Sequence, residues 1–177
     1  MNSYRITLVD HQEREHLLPL TFTRPVANIR VGALTIAEKW QKRFGASIDY
    51  LVPAYLQPVF PSSLTASEFA VNGAVIPTAA LVKEILSLEK GQSVYKGEQW
   101  IASRTHDFSL ESIPQLDKLE LQSELHCIDR VWKIFQLNDW ALREDFEWLR
   151  TSMPEKKEVP DFVQRVGDDI FIAEDAE

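Results

Sequence analysis

The chain has 177 residues, of which 45% are hydrophobic and 26% charged, an ordinary make-up for one soluble globular domain with a well-developed core. Its 19 Lys and Arg against 27 Asp and Glu give a net charge of -8, which disfavours long-range attraction to nucleic acid or to an anionic membrane, so any functional cation must act locally. A single cysteine, Cys127, excludes an internal disulfide. The amino terminus lacks a signal-peptide pattern and no apolar run approaches the roughly 20 residues that span a bilayer, so the expected location is cytoplasmic.

The first run, Tyr4 to Asp10, is apolar and β-branched and reads as a strand. His11 to His16 mixes charges with no apolar period, which predicts an exposed loop or short turn with both histidines solvated. Then comes LPLTFTRPVANIRVGALTIAEKW, Leu18 to Trp40, a polar junction between a strand and a helix. It carries the hydroxyls of Thr21 and Thr23 and the permanent cations Arg24 and Arg30. An α/β protein binds ligands at the carboxyl ends of its strands, and anions favour the amino end of the following helix, so a phosphate is expected here. Leu34, Ala37, Trp40 and Phe44 share one face of that helix, whose amino end falls near Gly32 and which Gly45 ends.

Ser47 to Val52 predicts a second strand, stopped by Pro53, and Pro58 and Pro61 mark an irregular connection. Phe69 to Asn72 forms a short strand turning at Gly73, Ala74 to Pro77 is a second apolar run, and Thr78 caps a helix with Leu81, Ile85 and Leu88 on one face. Ser93-Val94-Tyr95 and Trp100-Ile101-Ala102 flank Lys96-Gly97, which predicts a hairpin extending the central sheet. Phe108 to Ser123 is mixed in pattern. Val131 to Phe135 suits a strand, with Asn138 or Asp139 then capping a helix that carries Ala141, Leu142, Phe146 and Leu149. Thr151 to Pro160 reads as a linker, and the acidic tail after Gly167 as a short apolar step that more chain should follow, since one turn of a repeating β-structure cannot bury its own face.

Each candidate residue also has a plain structural explanation. Arginines commonly pair with surrounding acid, threonines in turns bond to their own backbone, and asparagine is a leading N-cap residue. The place of Arg24 and Arg30 in a loop after a strand favours phosphate contact for them. His106-Asp107 is a neighbour pair with little claim to acid-base work, Cys127 reads as core, and the tryptophans fit apolar faces.

The three stretches LPLTFTRPVANIRVGALTIAEKW, VNGAVIP and VWKIFQLND together resemble the amino-terminal domain of the GlmU-like sugar nucleotidyltransferases of bacteria. That family is similar to bifunctional N-acetylglucosamine-1-phosphate uridyltransferases, with a nucleotidyltransferase domain followed by a left-handed β-helix acyltransferase domain of hexapeptide repeats. The resemblance implies a mostly parallel central sheet of the nucleotide-diphospho-sugar transferase kind, with a nucleotidyltransferase-like domain over 1–150, a linker over 151–165 and the truncated start of a β-helix over 166–177. It implies transfer of a nucleotidyl group, uridylyl by closest resemblance, from a nucleoside triphosphate to a sugar 1-phosphate, with Mg²⁺ as cofactor and, through the absent β-helix, a homotrimer for a longer protein. Thr23-Arg24 stands where the family's wider superfamily has Thr-Arg in a G-x-G-T-R loop, and Arg30 falls near its lysine. By the same resemblance Thr21, Thr23, Asn72 and Gly73 would contact substrate and Asn138 would be a metal ligand. Two departures stand out: Pro19-Leu20-Thr21-Phe22 replaces the loop glycines, and Ala74 follows Asn72-Gly73 where an Asn-Gly-Asp turn would supply a metal carboxylate. The alternative reading is a catalytically degenerate binding or structural domain that keeps the fold, lacks the metal carboxylate and arranges or regulates an acyltransferase domain.

Overall fold

A computed structural model describes residues 4–45, 47–61, 67–105, 108–154, 163–164, 166–167 and 170–174. The chain forms a mixed α/β unit on a six-stranded sheet of order β4-β1-β5-β8-β7-β9. Its strands are β1 (Arg5–Val9), β4 (Ser47–Leu51), β5 (Phe69–Asn72), β7 (Gln92–Lys96), β8 (Gln99–Arg104) and β9 (Asp117–Glu120). β1 pairs in parallel with both β4 and β5, and β7 in parallel with β9. β8 runs antiparallel between β5 and β7, so the predicted hairpin does extend the sheet. Three of the five pairings are thus parallel, consistent with a Rossmann-like arrangement.

Alternation along the strands explains the layers. Ile6 and Leu8 of β1 and Phe69 and Val71 of β5 enter the larger core, together with Ile36, Ala37, Trp40 and Phe44 of α2 (Ile36–Phe44) and Leu81, Val82 and Ile85 of α3 (Ala79–Leu86). Val9 and Ala70 face the other side and meet Tyr95, Trp100, Phe108 and Ile113. α3 starts as its sequence suggests, while α2 starts later than expected. Thr35 caps α2 in a full capping box with Glu38, and Gly45 closes it at φ 64°; Thr78 caps α3 by accepting from Leu81 N at 3.1 Å. α2 begins at Ile36 rather than near Gly32, because Leu34–Thr35 is held as β3 against β2 (Arg30–Val31).

Two expectations are corrected. His11 to His16 is no exposed loop: Glu13–His16 forms a one-turn helix, α1, in which Glu13 and Arg14 are buried. Val131 to Phe135 is no strand but the opening of α4 (Val131–Ser152), whose N-cap is Arg130, so Asn138 lies two turns inside the helix instead of at its start. The apolar run misled because its residues divide between two faces: Ile134 packs on the core while Trp132 and Phe135 point outward. Thr151 and Ser152 also belong to α4 rather than to a linker. Two short strands, β6 (Val75–Ile76) and β10 (His126–Cys127), pair antiparallel and carry the chain to α4. No coil of a β-helix is seen among the described residues; in the tail, Glu174 N donates to Pro154 O at 3.1 Å. His106 and Asp107 lie outside the described residues. Among the described residues no helix is long and apolar enough to cross a membrane.

Candidate functional site

β4 lies on one side of β1 and β5 on the other, so the carboxyl end of β1 is a point where strand order reverses, the usual place for a ligand in such a sheet. There the chain builds a buried ion pair. Asp10 Oδ2 accepts from Arg14 Nη1 at 2.5 Å, and its Oδ1 accepts from Val26 N at 2.8 Å. Arg14 donates further to Thr21 O, to Tyr55 Oη at 2.6 Å and to Arg24 O at 3.4 Å. The polar loop is therefore wrapped around one guanidinium. Burial pushes the Asp10 carboxyl above its ordinary value, although the Val26 N–H and Arg14 pull the other way.

Thr23 and Arg24 come together on the wall of a cleft of about 480 Å³, with Asn28, Thr35, Glu38 and Tyr50. Thr21 does not join them. It is fully buried, and its hydroxyl donates to Arg14 O at 3.1 Å. Arg30 is exposed on β2 and donates to Ala33 O, apart from that cleft's lining. The amino end of α2, where a phosphate was expected, is already served by the chain's own anion: Glu38 Oε2 accepts from Thr35 N at 2.7 Å. Burial raises the Glu38 carboxyl, yet Thr35, Arg30 and Lys42 together hold it below its ordinary value. Any phosphate in this cleft must be attracted by Arg24 against that carboxylate.

Asn72 and Gly73 shape the turn after β5. The Asn72 amide donates to Trp100 O at 3.1 Å and its Oδ1 accepts from Ala74 N at 3.0 Å, while Gly73 N donates to Val9 O at 2.9 Å. A Cβ on Gly73 would stand 3.2 Å from Val9 O, so a side chain there fits only if the neighbouring strand end gives by a few tenths of an ångström.

Among the described residues the candidate ligands do not come together as a Mg²⁺ cage. Asn138 Oδ1 accepts from Gly32 N at 2.9 Å, Asp10 is engaged by Arg14 and Val26, and Asp139 is exposed and paired with Arg143 at 3.1 Å. No group of three or more His, Cys, Asp or Glu suited to an ion occurs among the described residues.

Sequence reasoning missed two groups. Lys39 and Asp145 form a buried ion pair across the fold, each side chain 3% exposed, and Asp145 Oδ2 also accepts from Ala33 N at 2.9 Å and Leu34 N at 3.1 Å. No local signal joins residues so far apart. Asp10 and Arg14, by contrast, stand four apart, a local spacing from which the pair could have been found, although the segment holding Arg14 was expected to be exposed. The second missed group is Glu13, 7% exposed, which accepts from Gln99 Nε2 at 2.9 Å through Oε1. Burial alone would raise its carboxyl, but His11, its own backbone N–H, Gln99 and Asn72 overcome this and lower it from 4.5 to about 2. A depressed native value stabilises the fold fully above the unfolded value and loses that contribution as pH falls through about 2. Glu13→Gln is therefore expected to remove about 3 kcal/mol from the loss of stability between roughly pH 5 and pH 2, measured by urea unfolding across that range. An unchanged acid slope would rule this out.

No curated protein matches the sequence. A family model described as sugar nucleotidyl transferase matches residues 6–153, a span that runs from the first strand through the polar loop and the Asn72 turn to the end of α4. The chain belongs to the sugar nucleotidyl transferase family.

Proposed function

We propose that this chain transfers a uridylyl group from uridine triphosphate to N-acetylglucosamine 1-phosphate. Family membership implies the coarser reaction, nucleotidyl transfer from a nucleoside triphosphate to a sugar phosphate; the base and the sugar come from the GlmU-like resemblance of the three sequence stretches. In that reaction an oxygen of the acceptor phosphate attacks the α-phosphorus, the bond to the bridging α–β oxygen breaks, and its electrons leave with pyrophosphate. Such a transfer is accelerated mainly by positioning and by neutralising charge on phosphate oxygens. The observation that carries the reading is that Thr23 and Arg24 line one open cleft beside the family-matched loop. Arg24 grips the triphosphate, Thr23 bonds a phosphate oxygen, and Arg30 takes the sugar phosphate or the departing pyrophosphate. Thr21, Asn72 and Gly73 act by fixing the walls, through the bonds that engage them. Nucleotidyltransferases of this kind commonly use Mg²⁺. Asn138, the metal ligand suggested by resemblance, is here occupied with Gly32 N, so no step is assigned to a protein-held ion.

The division into a transferase-like domain that runs through α4, a linker after it and the opening of a β-helix acyltransferase domain over 166–177 belongs to the same proposal, as does a trimer for a longer protein and a cytoplasmic location.

A second reading is favoured by Glu38 at the amino end of α2 and by the engaged Asn138: a domain that binds nucleotide without turning it over. Calorimetric titration with uridine triphosphate, with and without Mg²⁺, followed by a pyrophosphate-release assay with N-acetylglucosamine 1-phosphate, separates the two. Release of pyrophosphate supports the transferase, and binding without release supports the second reading. Arg24 is exposed, so Arg24→Ala should weaken triphosphate binding about tenfold or more while stability stays within about 0.5 kcal/mol. A stability loss with unaltered affinity would reject its role.

A further inference from the structure

α4 turns one side to the fold and leaves an apolar face uncovered among the described residues. Ile134 and Ala141 pack on the larger core, and Asp145, on the same side, takes Lys39. At about 100° per residue, Phe135, Leu142 and Phe146 fall within about 40° of one another, roughly a quarter turn from that buried side, with Trp132 next to them. Trp132 is 59% exposed, Phe135 85% and Leu142 44%, and Phe146 is half-buried. Single apolar residues scattered over a surface need no explanation, but these recur along about four turns of one helix. Interleaved with them stand Asp139 and Arg143, both exposed. Arg143 donates from Nε to Asp139 Oδ2 and from Nη2 to Asp139 Oδ1, each at 3.1 Å.

We propose that this face is where a second copy of the chain docks, its α4 lying antiparallel on the first about a two-fold axis that passes beside Ala141. In that register Asp139 of each copy faces the partner's Arg143, and Phe135 of each approaches the partner's Phe146. A charge laid in an apolar contact is costly unless an opposite charge meets it, and the antiparallel pairing gives all four charges one. A parallel pairing would set aspartate on aspartate and arginine on arginine. The face needs no foreign protein to complete it: its pattern is its own complement, as an isologous contact requires. A helix of 22 residues is about 33 Å long, so one helix pair buries an area at the lower end of what holds two proteins together, and a dissociation constant of about 10–100 μM is expected. The contact uses none of the residues that line the cleft of Thr23 and Arg24, and it stands whether or not the chain is a transferase. In a trimeric longer protein it would join trimers in pairs.

The test is sedimentation velocity of the full chain across a concentration series reaching the high micromolar range, where the average mass should rise from one copy towards two. Phe135→Glu should raise the dimer dissociation constant about tenfold or more, and Leu142→Glu serves where that variant fails to fold. Asp139→Arg and Arg143→Asp should each weaken association about tenfold on its own, because each sets like charges face to face. Mixed in equal parts, those two variants should pair to within about threefold of wild-type affinity, since each supplies the charge the other lacks. Circular dichroism and thermal unfolding show that the variants compared are folded. A wild-type chain that stays monomeric throughout the series overturns the proposal. So does association that the glutamate variants leave unaltered, or a pair of charge variants that do not associate when mixed.

Discussion

Asp145→Ala should cost about 3–5 kcal/mol of folding stability, read as a shift in the urea midpoint at constant slope. Asp145 takes the ammonium of Lys39 on one oxygen and the N–H groups of Ala33 and Leu34 on the other. Its removal leaves a cation and two amides without acceptors, at a site where each partner is almost wholly excluded from water. The cost arises from the groups left behind, so replacing both members of the pair should be far milder. The double variant Lys39→Met, Asp145→Leu is expected to regain more than half of the loss, leaving only the amides unsatisfied. Equal instability in the single and double variants would mean that the pair itself contributes net stability.

Arg14→Ala should be of similar size, about 3–5 kcal/mol, and should damage ligand binding as well. Arg14 is the common donor to Asp10, Thr21, Arg24 and Tyr55. Losing it strands a buried carboxylate at the end of β1 and frees the backbone on which Thr23 and Arg24 are mounted. Arg14→Lys restores the charge but not the planar fork that reaches several acceptors, so it should recover only part of the stability. Thermal unfolding of both variants, alongside triphosphate titration, checks the order wild type, Lys, Ala. Wild-type affinity in a folded Arg14→Ala protein would dissociate the guanidinium from the arrangement of the loop.

Five of the six strands of the main sheet and the first two long helices were legible because their signals are local, whereas β9 lies in the mixed stretch Phe108 to Ser123. Thr78 at the start of α3 and Gly45 at the end of α2 sit where capping chemistry puts them, whereas α3 closes at Ser87, well short of the expected Gly91. The hairpin was announced by Lys96-Gly97 between two apolar runs. What failed to read was charge turned inward. Glu13 and Arg14 look like solvated residues in sequence, because periodicity counts apolar side chains and cannot register a cation that finds four acceptors inside the fold. α4 failed for a related reason: its opening residues have strand-like composition, and only the packing of Ile134, Leu137 and Ala141 in the core reveals the helical period. Of the candidate site residues, the loop pair Thr23 and Arg24 share a cleft as their spacing suggests, whereas Asn72 and Asn138 turn out to bond backbone groups.

α4 touches the β2–β3 turn at every backbone N–H that the turn offers outward: Asn138 takes that of Gly32, and Asp145 those of Ala33 and Leu34. Gly32, at φ 82°, leaves no room for a Cβ, which would come within 2.8 Å of the Ala141 carbonyl carbon. The beginning and the end of the family-matched span are thus closed on each other like a clasp. Chain emerging during synthesis can form strands and hairpin in order, but the turn after β2 has to wait more than a hundred residues for its acceptors. A shorter version ending before α4 would not be a smaller domain with one helix fewer; it would be an unfinished one.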